Sequence, residues 1–131
     1  MSNRKGIIAE LRFQQEAIAR KLKTSVPTYA QERYDVIVDN GTSLFRIQIK
    51  SVTNHRMIGK AKEFRVALTG GDKVTKYKRN EVDFFAIHLN ELDIWYVIPA
   101  IKVNGIKYLT LYPEGDSKYS LYEDAWGLLS D

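Results

Sequence analysis

An Asn-Gly pair set between two strand-like runs constrains this chain more than any other feature. Residues 33–39 are rich in β-branched side chains, residues 43–53 alternate polar and apolar, and Asp39-Asn40-Gly41-Thr42 lies between them. Asn-Gly suits the positive-φ positions of a type I′ turn, so the pattern predicts an antiparallel hairpin. Side chains in a strand alternate between faces. Phe45, Ile47 and Ile49 therefore share one face, and Leu44, Arg46, Gln48, Lys50 and Val52 the other. In the first strand Tyr34, Val36 and Val38 sort against Asp35, Ile37 and Asp39. A two-residue turn places Asp35 opposite Arg46, and a four-residue loop places it opposite Gln48. Either register puts Asp35 on the face of Gln48 and Lys50, and only a single-residue bulge would separate them.

An acid, an amide and a lysine on one polar patch suit phosphodiester cleavage. An aspartate oxygen is a hard ligand for Mg²⁺, which prefers oxygen donors and keeps several waters. Gln48 offers a neutral carbonyl oxygen and the Ile49 backbone carbonyl offers another. Lys50 is placed to orient or help deprotonate the attacking water, or to stabilise charge growing on the phosphate. The same pattern also occurs as an exposed strand ion pair worth ~0–1 kcal/mol, so spacing alone leaves both readings open.

Upstream, residues 4–23 read as one helix with Ile7, Leu11, Ile18 and Leu22 on an inward stripe, ended by Pro27 and the polar stretch after it. Glu10 falls about a quarter-turn from the centre of that stripe, at its margin. Phe13, with Ala9 and Ala17, lies on the opposite face, where it suggests a second contact surface such as a subunit interface. Further strands are predicted over 63–68, 82–89, 93–98 and 107–112, with turns at Gly70-Gly71-Asp72 and Asn90-Glu91 and a short helical turn over 99–103. A last amphipathic helix is expected over 120–129, with Leu121, Ala125, Leu128 and Leu129 inward and Trp126 as an anchor. The expected architecture is α/β: one domain over residues 1–131, a central mixed sheet flanked by helices.

Composition narrows the setting. The chain has no cysteine, which excludes disulfides, thiolate metal sites and cysteine nucleophiles. No apolar run approaches the ~18 residues of a membrane span, and the basic N-terminus leads into a stretch carrying Glu10 and Arg12 rather than a signal peptide. A cytoplasmic location, in a bacterial or phage-infected cell, is expected. The formal net charge is +4, but five acids follow Pro113 against one base, so the body before it carries 19 bases and 11 acids. A basic body with an acidic tail fits a polyanionic partner.

Taken together, residues 33–39 followed by Phe45-Arg46-Ile47-Gln48-Ile49-Lys50-Ser51 resemble the PD-(D/E)xK nuclease motif, and Lys5-Gly6-Ile7-Ile8-Ala9-Glu10 resembles the first-helix glutamate motif of the same superfamily. More narrowly, the glutamine variant and the later Glu81-Val82-Asp83-Phe84-Phe85-Ala86-Ile87 and Trp95-Tyr96-Val97-Ile98-Pro99 segments resemble the group I intron homing endonucleases of this fold. The resemblance spans residues 4–103. It implies a restriction-endonuclease-like sheet, Mg²⁺ dependence with Mn²⁺ as a substitute, catalytic roles for Glu10, Asp35, Gln48 and Lys50, and metal contact through Asp35, Gln48, Ile49 and Glu10. Tyr34 replaces the proline that names the motif, and Gln48 replaces an acid, which lowers the charge of the ligand set.

Two basic segments are expected to meet DNA phosphates. One, residues 54–65, directly follows the catalytic strand and carries His55, Arg56, Lys60, Lys62 and Arg65. The other carries Lys73, Lys76, Tyr77, Lys78 and Arg79. His88, in an apolar strand, reads as a satisfied core residue. Three functions compete: a homing-type site-specific endonuclease, a Holliday-junction resolvase reading branched shape, and an inert nuclease-derived DNA-binding module. The partner is double-stranded or branched DNA, and so small a chain is expected to work as a homodimer or homotetramer.

Overall fold

The computed structural model describes residues 4–29, 33–68 and 81–130. Its hairpin joins β2 (Val36–Asp39) to β3 (Leu44–Val52) in antiparallel register, with Asp39 opposite Leu44 and Val36 opposite Ile47. The connection is thus the four-residue loop, not the two-residue turn. Polar side chains close it. Asp39 Oδ1 accepts from the Gly41 N–H (2.8 Å), and Asn40 Oδ1 accepts from the N–H groups of Thr42 (2.9 Å) and Ser43 (2.8 Å). Gly41, at φ +95°, takes the backbone conformation that side-chain-bearing residues avoid.

The hairpin forms the middle of a five-stranded sheet ordered β1-β2-β3-β6-β7, in which β1 is Lys23–Ser25, β6 Phe84–Leu89 and β7 Ile94–Pro99. The sheet's β3–β6 pair is parallel and its other three pairs are antiparallel. All six β6 residues are buried, because both of its faces are covered. One face packs Val36, Val38, Ile47, Ile49, Phe84 and Ala86 against helix α1 (Arg4–Ala19) and the C-terminal segment. The other packs Phe85, Ile87, Leu89, Tyr96 and Ile98 against a second, three-stranded sheet of β4 (Arg56–Ile58), β5 (Ala61–Ala67) and β8 (Tyr108–Leu111). The mixed central sheet matches expectation, whereas the layer on its second face is β rather than helical. Strand β4 lies inside the basic segment 54–65, ahead of the strand predicted from residue 63.

Helix α1 departs from the predicted orientation. Ala9, Phe13 and Ala17 are its buried residues, while Ile7, Leu11 and Ile18 are 54%, 60% and 61% exposed. The small Ala9 and Ala17 let the helix approach the sheet, and Phe13 fills the space between them, ring centroids 5.7 Å from Trp95 and 5.4 Å from Trp126. That aromatic cluster outweighs the aliphatic stripe. The face read as a subunit contact is therefore the core. The helix also ends earlier than Pro27. Lys21 adopts φ 66°, its N–H donates to the Ile18 carbonyl (2.9 Å) and the Leu22 N–H to that of Ala17 (3.0 Å), a Schellman cap that buries Leu22. A lysine in this conformation costs about 1 kcal/mol relative to glycine. Lys21→Gly is expected to raise Tm by about 3 °C in a thermal melt.

The C-terminal segment is not one helix. Two 3-10 turns, Ser120–Tyr122 and Trp126–Leu129, flank a bridge from Glu123 to Tyr96. Leu121 (71% exposed) and Leu128 (44%) point outward, but Trp126 and Leu129 are buried as expected. The Asn40 side chain donates Nδ2 to the Leu129 carbonyl (3.0 Å), tying the hairpin loop to this end of the chain. The other 3-10 turn, Ala100–Val103, stands where one was predicted. Among the described residues no helix is long and apolar enough to cross a membrane.

Candidate active site

The site arises where the sheet opens. Pairing of β2 with β3 ends at Val36, so residues 48–52 of β3 run on past their neighbour. Asp35 sits at this fork, its N–H donating to the Ile47 carbonyl (2.8 Å). Residues of equal parity direct their backbone groups to the same edge, so the Ile49 N–H and carbonyl face Asp35. The Ile49 N–H donates to Asp35 Oδ2 (2.8 Å), and Gln48 Nε2 donates to the same oxygen (3.0 Å). Both donors hold the carboxylate through Oδ2.

Lys50 and Glu10 join electrostatically. Burial raises the Asp35 pKa above the ordinary aspartate value, opposed by the Ile49 N–H and the positive charge of Lys50. Burial lowers the Lys50 pKa, opposed by Asp35 and reinforced by Arg33. Glu10 is raised by burial and then by the negative charge of Asp35. The structure thus brings Glu10, Asp35, Gln48 and Lys50 together. Glu10 lies at the margin of the buried face of α1, next to Ala9. A residue a quarter-turn from one stripe also borders the opposite one, so its placement survives the inversion of the helix.

Glu10 and Asp35 line a cleft of about 410 Å³ together with Gly6, Thr28, Tyr29 and Tyr34. Tyr34, the residue in place of the motif's proline, is thereby part of the cleft wall. Sequence reasoning singled out none of these four as site residues; the one available signal was Gly6, one helical turn before Glu10. A Cβ built at Gly6 meets nothing within 4 Å, so packing does not require glycine there. Alanine favours a helix over glycine by up to about 1 kcal/mol. Gly6→Ala is expected to raise Tm by a few degrees yet slow cleavage by about 10- to 100-fold, because its methyl group enters the cleft. Parallel melting and rate measurements check the split.

The oxygens gathered here suit a hard divalent cation. Two carboxylates at one edge raise each other's energy, and a cation between them relieves that repulsion. Among the described residues no three His, Cys, Asp or Glu side chains form a metal-holding group. The oxygens present here that could hold an ion are those of Asp35 and Glu10, with neutral ones on Ile49 and Gln48.

Flanking pairs brace the strands. Arg46 binds Asp83 through Nε–Oδ2 (3.1 Å) and Nη2–Oδ1 (3.2 Å), and its N–H also donates to Oδ2 (2.8 Å), clamping the start of β6 to β3. Of the residues expected to meet DNA, His55, Arg56, Lys60 and Lys62 lie on or beside the β4–β5 hairpin. His55 bonds Glu91 (2.6 Å), and Arg56 bonds the buried Glu63 (2.7 Å), which also accepts from the Tyr112 hydroxyl. Arg65 stacks over Tyr108, 4.2 Å from the ring centroid. Lys73, Lys76, Tyr77, Lys78 and Arg79 lie outside the described residues.

Known proteins resemble this chain in sequence pattern and in fold. A family model described as PD-(D/E)XK endonuclease matches residues 1–126. A solved bacterial homing endonuclease, I-Ssp6803I, superposes with a TM-score of 0.79 at 22% sequence identity, covering 98% of this chain and 92% of that one. No curated protein matches the chain.

Proposed function

The chain belongs to the PD-(D/E)XK endonuclease family, and from that premise we propose that it hydrolyses phosphodiester bonds in DNA with a bound divalent cation, Mg²⁺ or Mn²⁺. The observation that carries the reading is the Asp35 carboxylate, pinned by Gln48 and Ile49 and coupled to both Lys50 and Glu10. The cation, when bound, supplies Lewis-acid charge at the scissile phosphate. Asp35 and Glu10 supply the negative charge that holds it. The Ile49 N–H and the Gln48 amide fix the Asp35 rotamer, so its oxygens need not reorganise during the reaction. Lys50, partly desolvated beside Asp35, directs an ammonium at the developing negative charge, or in its neutral form accepts a proton from the attacking water.

Of the substrates, a site-specific duplex is the first reading, with a four-way junction as the alternative. The similarity in fold to a homing endonuclease supports the first. A homodimer or homotetramer is the proposed assembly, supported by the exposed Ile7, Leu11 and Ile18 side chains and by the reach a long site demands. The decisive test is cleavage of linear duplex, four-way junction and single-stranded DNA with Mg²⁺ or EDTA. Metal-dependent cutting of a duplex is expected. Cutting of junctions alone favours the resolvase, and no metal-dependent cutting of any substrate leaves an inert DNA-binding module.

A further inference from the structure

A second cleft, of about 310 Å³, opens on the flank of α1 away from Glu10, over the C-terminal ends of β3 and β6. Lys5 and Arg12 line it from the helix. They stand seven residues apart, close to two full turns, and so lie on one flank. Both are exposed, and neither has a hydrogen bond or ion pair among the described residues. Arg12 also borders Glu16 and Asp93, yet among the described residues no acid comes within ion-pair distance of it. Two cations without an ion pair among the described residues stand on one side of the concavity.

The floor of the cleft is an ordered polar network. Ser51 and His88 are register neighbours on β3 and β6, and Asn90 follows in the β6–β7 turn. Asn90 Oδ1 takes the Ser51 hydroxyl at 3.0 Å and faces His88 Nδ1 at 2.7 Å, while the fully buried imidazole reaches Asp93 Oδ1 through Nε2 at 2.8 Å. With its oxygen accepting from the Ser51 hydroxyl, Asn90 keeps two Nδ2 protons without a partner among the described residues. The Ser51 bond orients the amide, and Asn90 lines the same cleft as the two cations.

We propose that this cleft binds one backbone phosphate of the DNA, with Lys5 and Arg12 neutralising its charge and Asn90 Nδ2 donating to an oxygen. The site rests on the nuclease reading, and it lies across α1 from the Glu10 cleft, one helix width of ~10 Å away. It assigns to His88 a positioning role, acting through Asn90 without touching the ligand.

The test measures duplex binding in EDTA across a salt series, for the wild type, Lys5→Ala/Arg12→Ala, Asn90→Ala and Lys102→Ala as a control cation elsewhere. Losing one phosphate contact makes the slope of log Kobs against log salt shallower by about 0.9. The affinity lost between 50 and 200 mM salt is then about threefold smaller in the double variant than in the wild type. Asn90→Ala is expected to weaken binding with the slope unchanged, since its donor is neutral, and Lys102→Ala to change neither. An unaltered slope in the double variant, or an equal change in Lys102→Ala, overturns the site while leaving the nuclease reading intact. Inorganic phosphate bound in calorimetry by the wild type but not the double variant, with DNA binding equal in both, reassigns the cleft to a free anion and overturns the proposal. Absence of DNA binding by the wild type removes the nuclease reading and the site with it.

Discussion

Lys50→Ala is expected to lower single-turnover cleavage by about 10³-fold or more, with DNA affinity changed little and the melting temperature not reduced. The rate loss follows from removing either a general base, worth ~10²–10⁴, or a charge aimed at the transition state, worth ~10²–10³. The retained stability follows from burial. Lys50 carries its charge at a desolvated position, which depresses its pKa below the ordinary 10.5, so removing the ammonium relieves a cost in the native state. The pH profile distinguishes its roles. If the cation is the working form, activity falls on the alkaline side at a pH below the usual lysine range. If the neutral amine is, activity climbs through that same window. A Lys50→Arg variant, which stays charged, retains activity only in the first case. Lys50→Ala cleaving within tenfold of the wild type would remove this residue from the catalytic group.

The part of the site legible in the sequence was the part governed by strand parity. Alternation with period two is local, and it put Asp35, Gln48 and Lys50 on one face under either loop length. The loop length itself was not legible. The Asn-Gly pair satisfies a two-residue turn, whereas here the Asn40 and Asp39 side chains cap a longer loop, with Asn40 also bonded to Leu129, 89 residues away in the chain. Helix α1 carries apolar residues on both flanks, and its own sequence cannot say which faces the sheet. The choice depends on Trp95 and Trp126, distant residues whose rings accommodate Phe13. The C-terminal leucines have helical spacing, yet the Tyr96–Glu123 bridge interrupts the segment and turns Leu121 and Leu128 outward. The three-stranded second sheet was only partly visible, because β4 has no buried residue to set its period. The cleft wall from Gly6, Tyr29 and Tyr34 has no motif of its own and exists only through the approach of α1 to the β1–β2 connection.

Asp35→Asn should produce the other large effect: cleavage lost by at least about 10³-fold, and with it the response of the fold to divalent metal. The asparagine oxygen still accepts from the Ile49 N–H, so the local backbone bond is retained, but the charge that would hold a cation is gone. In the wild type, Mg²⁺ or Mn²⁺ binding only the native state should stabilise the fold by about 2.7 kcal/mol at a hundredfold excess over Kd, so that Tm rises with concentration. The variant should show almost none of that rise. Without metal the order inverts. Asp35 and Glu10 both have native pKa values raised above their ordinary 3.8 and 4.5, and for Asp35 this holds even with the attraction of Lys50 included. Such groups contribute stability that is complete below the ordinary pKa and is lost as pH rises through the raised native value. Metal-free wild-type protein should therefore give up stability from about pH 4 toward neutrality, and Asp35→Asn should lose less over that range and melt higher at neutral pH in EDTA. An inactive variant that is more stable without metal and indifferent to it separates a carboxylate kept for chemistry from one kept for folding. A variant that melts lower than wild type in EDTA at neutral pH would instead make Asp35 part of the scaffold.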